Sequence, residues 1–273
     1  MKVAMVFSGK IRELNRTKDY WLKFKNKYNA DVFGSFWNET DTENGNTIDN
    51  FISIYNPVKY ELESYDLVKD TMINQLLNDI KIPYDVINEN EIKIIENGNI
   101  LYMTYKIWRG NMLTKLVDEK YDIVVRIRTD VTLDDLLYLE KNEYFNLPAG
   151  RIIIKYYGIQ DNWGFLDVLS YSKPEIMDYY SSFIFYFMSY IKDGFFVYSH
   201  EYLLRIHLNQ KDIIVNEFFN YVYIHMGYYI KNINYYLVNK NPTLTHFLGE
   251  KLDNNKDIEQ LNCFKQNNKV FNN

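Results

Sequence analysis

Residues 2–12 read Lys2-Val3-Ala4-Met5-Val6-Phe7-Ser8-Gly9-Lys10-Ile11-Arg12. The apolar run Val3 to Phe7 suits a buried strand, and it stops at a Ser8-Gly9 turn before a helical pattern over 15–28. A buried strand feeding a glycine turn and then a helix is how open α/β sheets place a ligand at their strand ends. Working outward, 31–37 predicts a second strand and 38–50 a polar loop. Residues 51–60 predict a third strand with a turn at Asn56-Pro57. Residues 62–80 carry Val68, Met72, Ile73, Leu76 and Leu77 at helical spacing. Residues 99–118 form the clearest helix, with Leu101, Tyr105, Trp108, Met112 and Leu116 along one face. Tyr121 to Asp130 predicts a central strand ending in a polar cluster, and Asp134-Asp135 a short helix.

The second half changes character. Arg151 to Lys155 predicts a strand and Tyr156 to Trp163 a loop. Lys173-Pro174 opens a helix that runs to about Lys192, since proline suits a first helical turn. Glu201 to Leu208 predicts a further helix, Ile213 to Tyr223 a strand, and 250–273 a polar tail or cap. Strands alternating with helices give an α/β class.

Composition excludes several alternatives. The chain has 273 residues, 47% hydrophobic and 25% charged, which excludes chain-wide disorder. A net charge of −5 argues against a general nucleic-acid binder, which needs many phosphate contacts. A single cysteine, Cys263, excludes an internal disulfide framework and a multi-cysteine zinc site. The Val3–Phe7 run is too short for a signal-peptide core, and Phe183 to Ile191 falls far below the roughly 20 apolar residues of a membrane span. With no disulfide to read, a reducing cytosol is the default setting. The 26 Tyr and 17 Phe fit AT-rich codon usage first and sugar-stacking surfaces second. No P-loop, GxSxG elbow or HExxH motif is present.

Four segments carry candidate chemistry. In the first, Phe7, Ser8, Gly9, Lys10 and Arg12 join a backbone-open turn to positive charge at a helix start. In the second, Arg126, Arg128 and Asp130 alternate and are expected on one strand face, with Ile127 and Thr129 on the other. Two such arginines are costly unless they meet an anion, and guanidinium suits bidentate phosphate contacts. Asp130 suits a divalent ion or a sugar hydroxyl; a structural Arg–Asp network is the other reading. The third is the Gly158 to Gly164 loop, where Asp161 beside Trp163 suits a general base on a sugar hydroxyl, or else a cap. The fourth is His200-Glu201 at a helix start, where Glu201 is a second candidate base or a dipole partner. His225 and His246 read as structural.

The order of these segments resembles glycosyltransferases of the GT-A fold, in particular small viral and bacterial ones that build surface glycans or polysaccharides. The resemblance is carried by Phe7-Ser8-Gly9-Lys10-Ile11-Arg12, by Asp31-Val32-Phe33 to Trp37, and by the Tyr121 to Asp130 pattern YDxVxRxRxD. It spans residues 3 to about 226, with Gln160 to Trp163 resembling the acceptor-side segment and His200-Glu201 the later helix start. Lys10 departs from the family's usual Gln, and Arg128 stands where a DxD motif has its first carboxylate.

The resemblance implies a Rossmann-like single domain over 1–249, with a central, mostly parallel sheet flanked by helices. Its first half, about 1–130, would hold the nucleotide-sugar and 131–249 the acceptor. It implies a nucleotide-diphosphate sugar donor, a glycan or glycoconjugate acceptor, and a cytoplasmic location (the host's, for a virus). It also implies nucleotide contacts from Phe7, Ser8, Gly9, Lys10, Arg12 and Lys106, and diphosphate contacts from Arg126 and Arg128. Asp130 would hold Mn²⁺, Mg²⁺ or the donor sugar, and Asp161 or Glu201 would be the catalytic base. An inactive nucleotide- or glycan-binding module of the same fold and a nucleotidyltransferase stand as alternatives, the latter lacking its paired-carboxylate site in this sequence.

Overall fold

The N-terminal apolar run forms β1 (Val3–Gly9), followed by α1 (Leu14–Tyr28), β2 (Asp31–Trp37), α2 (Ile48–Tyr55) and β3 (Lys59–Glu63). The chain continues through α3 (Ile100–Leu113), β4 (Ile123–Ile127), β5 (Val131–Leu133), β6 (Arg151–Tyr157) and β7 (Gly164–Ser172). It closes with α4 (Pro174–Ser181), α5 (Phe183–Lys192), α6 (His200–Asn209), β8 (Ile214–Glu217) and β9 (Val222–Ile224). The structure, a computed structural model, describes residues 1–38, 42, 44–69, 71, 100–133, 151–157, 164–192, 200–211, 214–217 and 222–224. Most of the helix expected over 62–80, the Asp134-Asp135 segment, Asp161 with its loop, His225, His246 and the 250–273 tail lie outside the described residues.

Seven strands form one sheet in the order β3-β2-β1-β4-β7-β6-β8, and β5 pairs with β9 separately. Four of the six neighbour pairings are parallel, and β7 runs antiparallel to both β4 and β6. Helices cover both faces, so the expected α/β class with a mostly parallel, Rossmann-like sheet is what the chain forms. On one face Val3, Met5, Phe7, Val32, Phe36, Val125 and Ile127 pack with Trp21, Phe24, Phe51 and Tyr55 from α1 and α2. On the other, Ala4, Val6, Phe33 and Val124 meet α3, α4, α5 and α6. The alternation along β1 follows from the two-residue period of a strand. Among the described residues, no helix is long and apolar enough to cross a membrane.

Several elements depart from the sequence reading. Residues 51–55 are helical, not extended: Thr47 caps α2 by accepting from the Asn50 amide, and Phe51 and Tyr55 are both buried one helical turn apart. Asn56 is left-handed and caps the end of α2, its amide donating to the Ile52 carbonyl, and the strand begins only at Lys59. α3 ends at Leu113, and its buried positions are Leu101, Thr104, Lys106, Ile107, Gly110, Asn111 and Leu113, while Leu116 is 57% exposed. The expected apolar stripe is thus rotated, because polar side chains of α3 take inward places against a polar part of the sheet. Gly110 permits this approach: a Cβ there would stand 2.7 Å from Val6 Cγ1. The helix expected to run to Lys192 breaks at Ser182 into α4 and α5, with Pro174 in the first turn of α4. β7 was not anticipated, and 213–223 divides between β8 and β9 in different sheets.

His207, not singled out by sequence, pins α6 to α4. Its Nε2–H donates to the Tyr179 carbonyl at 2.7 Å, and the Tyr179 hydroxyl donates back to the His207 carbonyl at 2.8 Å. Burial pushes its pKa down to about 4 against the pull of that carbonyl, so the imidazole is neutral.

Candidate functional site

The order β3-β2-β1-β4 reverses direction at β1, because the chain leaves β1 for β2 on one side and returns to β4 on the other. Such a switch point opens a crevice at the carboxyl ends of the two strands. Here those ends are Ser8-Gly9 and Ile127, with the loops Lys10–Glu13 and Arg128–Asp130 directly beyond. Gly9 has φ 108°, a conformation that L side chains rarely adopt, and no atom would lie within 4 Å of a Cβ built there. Glu13 also holds a positive φ, at 49°, just before α1. Left-handed backbone in a non-glycine residue is costly and needs support from its surroundings.

That support comes from Thr129. Its Oγ1 accepts from the Arg12 amide at 2.8 Å and donates to the Lys10 carbonyl at 3.1 Å. Thr17 Oγ1 donates to the Thr129 carbonyl at 2.6 Å, and Trp21 Nε1 donates to the Val131 carbonyl at 2.7 Å. The two loops are therefore stitched to each other and to α1. Thr129 was expected on the face away from the arginines and went unnoticed; a Thr between two charged residues at a strand end was the only signal.

The arginines are arranged differently from the expected row. β4 ends at Ile127, so Arg128 and Asp130 lie beyond the strand and do not share a face with Arg126 through alternation. Arg126 points to the α3 side, 1% exposed, and its Nε donates to Ser8 Oγ at 3.3 Å. Arg128 folds back on Asp130 in a bidentate fork, Nε to Oδ1 at 3.0 Å and Nη2 to Oδ2 at 2.6 Å. The Arg128 amide donates to the Val168 carbonyl at 2.9 Å, which fixes the loop to β7.

The remaining expected residues divide. Phe7 is fully buried in the aromatic core, stacked on Tyr55 and edge-on to Trp21 and Phe51, on the face opposite Ser8. Lys10 and Arg12 occupy the crevice loop, Arg12 exposed. The α1 start is not an open row of amides. Asn46 Oδ1 accepts from the Leu14 amide at 3.0 Å, and the Glu13 carbonyl takes the Arg16 and Thr17 amides. Glu201 lies in the first turn of α6.

Lys106 is fully buried in a network that the sequence reading missed. Its Nζ meets Glu63 Oε2 at 2.6 Å and Glu61 Oε1 at 3.7 Å, and lies 4.3 Å from the centre of the Trp37 ring. Arg109 makes a bidentate pair with Glu61, Ser35 Oγ donates to Glu61 Oε1 at 2.7 Å, and Tyr105 donates to Glu63 at 3.2 Å. Burial would raise the Glu61 pKa, but the hydrogen bonds from Arg109 and Ser35 and the Lys106 charge outweigh it and hold the carboxyl below its ordinary range. Burial draws the Lys106 pKa down, opposed by Glu63 and Glu61. Burial beside Glu63 raises the Tyr105 hydroxyl to about 12. The alternation Glu61-Leu62-Glu63 opposite Lys106 and Arg109, one helical turn apart, was the available signal.

No family model matches the chain, and no curated protein matches it in sequence. Among solved structures it is similar to apo mouse xyloside xylosyltransferase 1, at 8% identity and TM-score 0.42 over 80% of this chain and 85% of that one. It is also similar to apo GlyE, a glycosyltransferase of Streptococcus pneumoniae TIGR4, at 13% identity and TM-score 0.38 over 80% and 45%. A third is a Bacillus anthracis protein assigned as a glucose-1-phosphate thymidylyltransferase, crystallised with sucrose, at 8% identity and TM-score 0.41 over 89% and 97%.

Proposed function

We propose that the protein is a glycosyltransferase that moves a sugar from a nucleotide-diphosphate sugar to a hydroxyl of a glycan acceptor, in the making of surface glycan or polysaccharide. The observation that supports this most is the stitched crevice at the β1/β4 switch point. It combines an open glycine turn with the cations Lys10, Arg12 and Arg128. Open α/β sheets bind ligands at that place, and guanidinium and ammonium groups match a diphosphate. The motif order resembling GT-A transferases points to the same donor class.

In this reading Ser8, Gly9, Lys10 and Arg12 hold the nucleotide. Transfer breaks the bond from the anomeric carbon to the β-phosphate oxygen and forms one to the acceptor oxygen. Negative charge develops on the departing diphosphate, and pre-placed cations stabilise it most effectively because they need no reorganisation. Arg128 is the nearest candidate for that task, with Arg126 behind Ser8. In an inverting reaction the acceptor proton would go to Asp161 or Glu201. The single carboxylate at the Arg128-Thr129-Asp130 position favours one second reading, a module that binds the donor without turnover.

A thermal-shift screen of nucleotide-sugars tests the donor assignment, since a ligand that binds only the folded state raises the melting temperature. One donor is expected to raise it, with Arg12→Ala and Lys10→Ala each weakening the shift. No shift from any nucleotide-sugar at millimolar concentration overturns the donor site. Binding without release of nucleoside diphosphate in the presence of glycan acceptors selects the inactive module.

A further inference from the structure

The GT-A resemblance implies a divalent ion or the donor sugar at Asp130, and the residues present do not fit the ion. Both carboxylate oxygens of Asp130 are taken by the Arg128 fork, at 3.0 and 2.6 Å. The Asp130 side chain is 2% exposed, whereas that of Arg128 is 18% exposed. Magnesium keeps several waters and needs octahedral room, which a sealed carboxylate does not offer. An ion there would also stand beside a guanidinium in a poorly screened place, where like charges repel strongly. Among the described residues no group of three or more His, Cys, Asp or Glu side chains is placed to hold a metal.

We propose instead that Asp130 is a positioning residue for Arg128. The donor's diphosphate then meets the guanidinium where a metal-dependent enzyme would present its ion. This deepens the nucleotide-sugar reading and rests on it. The pair is rigid on both sides: the Arg128 amide is held by the Val168 carbonyl, and Thr129 between the partners is clamped to Arg12, Lys10 and Thr17. Arg128 is the more exposed member, so the cation and not the carboxylate is the group the crevice presents. A bidentate fork fixes the plane of a guanidinium, which a single contact does not.

The test uses the full chain and has two arms. In the first, MnCl₂ alone is titrated and followed by the aqueous Mn²⁺ paramagnetic signal. The wild type is expected to leave that signal unchanged at millimolar concentration; uptake that Asp130→Ala abolishes overturns the proposal. In the second, UDP and GDP are titrated calorimetrically in EDTA and in MnCl₂. Wild-type affinity is expected to agree between the two buffers within about twofold, and Arg128→Ala to lose about tenfold or more in both, the size of a lost charged hydrogen bond.

Arg128→Lys keeps the charge without the fork and serves if the alanine variant fails to fold. The effect of Asp130→Ala on UDP or GDP affinity is expected to vanish in an Arg128→Ala background, which a metal ligand or a merely structural residue would not show. A gain of about tenfold with Mn²⁺ that Asp130→Ala removes overturns the proposal. If neither nucleotide binds in either buffer, the donor reading and the diphosphate role of Arg128 both fall, and the Mn²⁺ arm alone decides whether Asp130 is a ligand.

Discussion

Two charged clusters lie near the carboxyl ends of neighbouring strands, and they differ in how their charges are closed. At the β2/β3 side, Lys106 and Arg109 face Glu61 and Glu63, two cations against two carboxylates, with Ser35, Tyr105 and the Trp37 ring filling the remaining contacts. At the β1/β4 side, Arg128 and Asp130 close on each other, while Lys10 and Arg12 lie in the facing loop and Arg126 donates to Ser8. The first cluster is internally balanced and serves the packing of α3 on the sheet. The second sits in loops held by hydroxyl and backbone bonds, beside left-handed backbone at Gly9 and Glu13. Strained backbone at a strand end is what a site retains for a ligand; matched charge is what a core tolerates.

The largest expected effect breaks the balanced cluster. Lys106→Ala removes a fully buried stem and leaves the half-buried Glu63 without its closest cation, and is expected to lower unfolding stability by about 3 kcal/mol. Denaturant unfolding would check it, and a loss within about 0.5 kcal/mol would place this network with solvated surface pairs instead. The crevice gives the next. Gly9→Ala meets no steric obstacle, so its cost is that of the backbone alone, about 2 kcal/mol. Gly110→Ala is the informative contrast, since its Cβ collides with Val6 while its backbone is helical. The smallest effect is in acid. Glu61 is held below its ordinary value of 4.5, so the unfolded chain takes up this proton first as pH falls. Its contribution is present above pH 4.5 and is lost as pH falls through the depressed value. Glu61→Gln should flatten that limb of a stability–pH curve, and an unchanged limb would remove Glu61 from the balance.

The crevice was far more legible than the balanced cluster. Strand β1, its glycine turn and α1 each announced themselves locally, by an unbroken apolar run, by Gly9, and by the 3-4-3 spacing of Leu14, Thr17, Trp21 and Phe24. The Lys106 network did not, because its carboxylates come from a strand placed a few residues too early and its cations from a helix whose buried side was misjudged. Both errors have one origin. Periodicity registers apolar burial, and α3 buries Thr104, Lys106 and Asn111 in place of its aromatic stripe. The segment 51–55 has apolar residues that satisfy either period, and the Thr47 and Asn56 caps and the rings of Phe7 and Phe36 against Phe51 favour the helix.

The sequence by itself determined the α/β class, the strand that opens the sheet, and the meeting of a glycine turn with basic residues. These follow from short-range spacing, which neighbouring residues carry. The tertiary structure alone decided that β4 lies beside β1, that Thr129 joins the two loops, and that Arg128 turns back onto Asp130. The first two depend on partners more than a hundred residues apart along the chain, which no local pattern encodes; the third joins residues two apart, but it forms only because β4 ends at Ile127 and frees the pair from strand alternation.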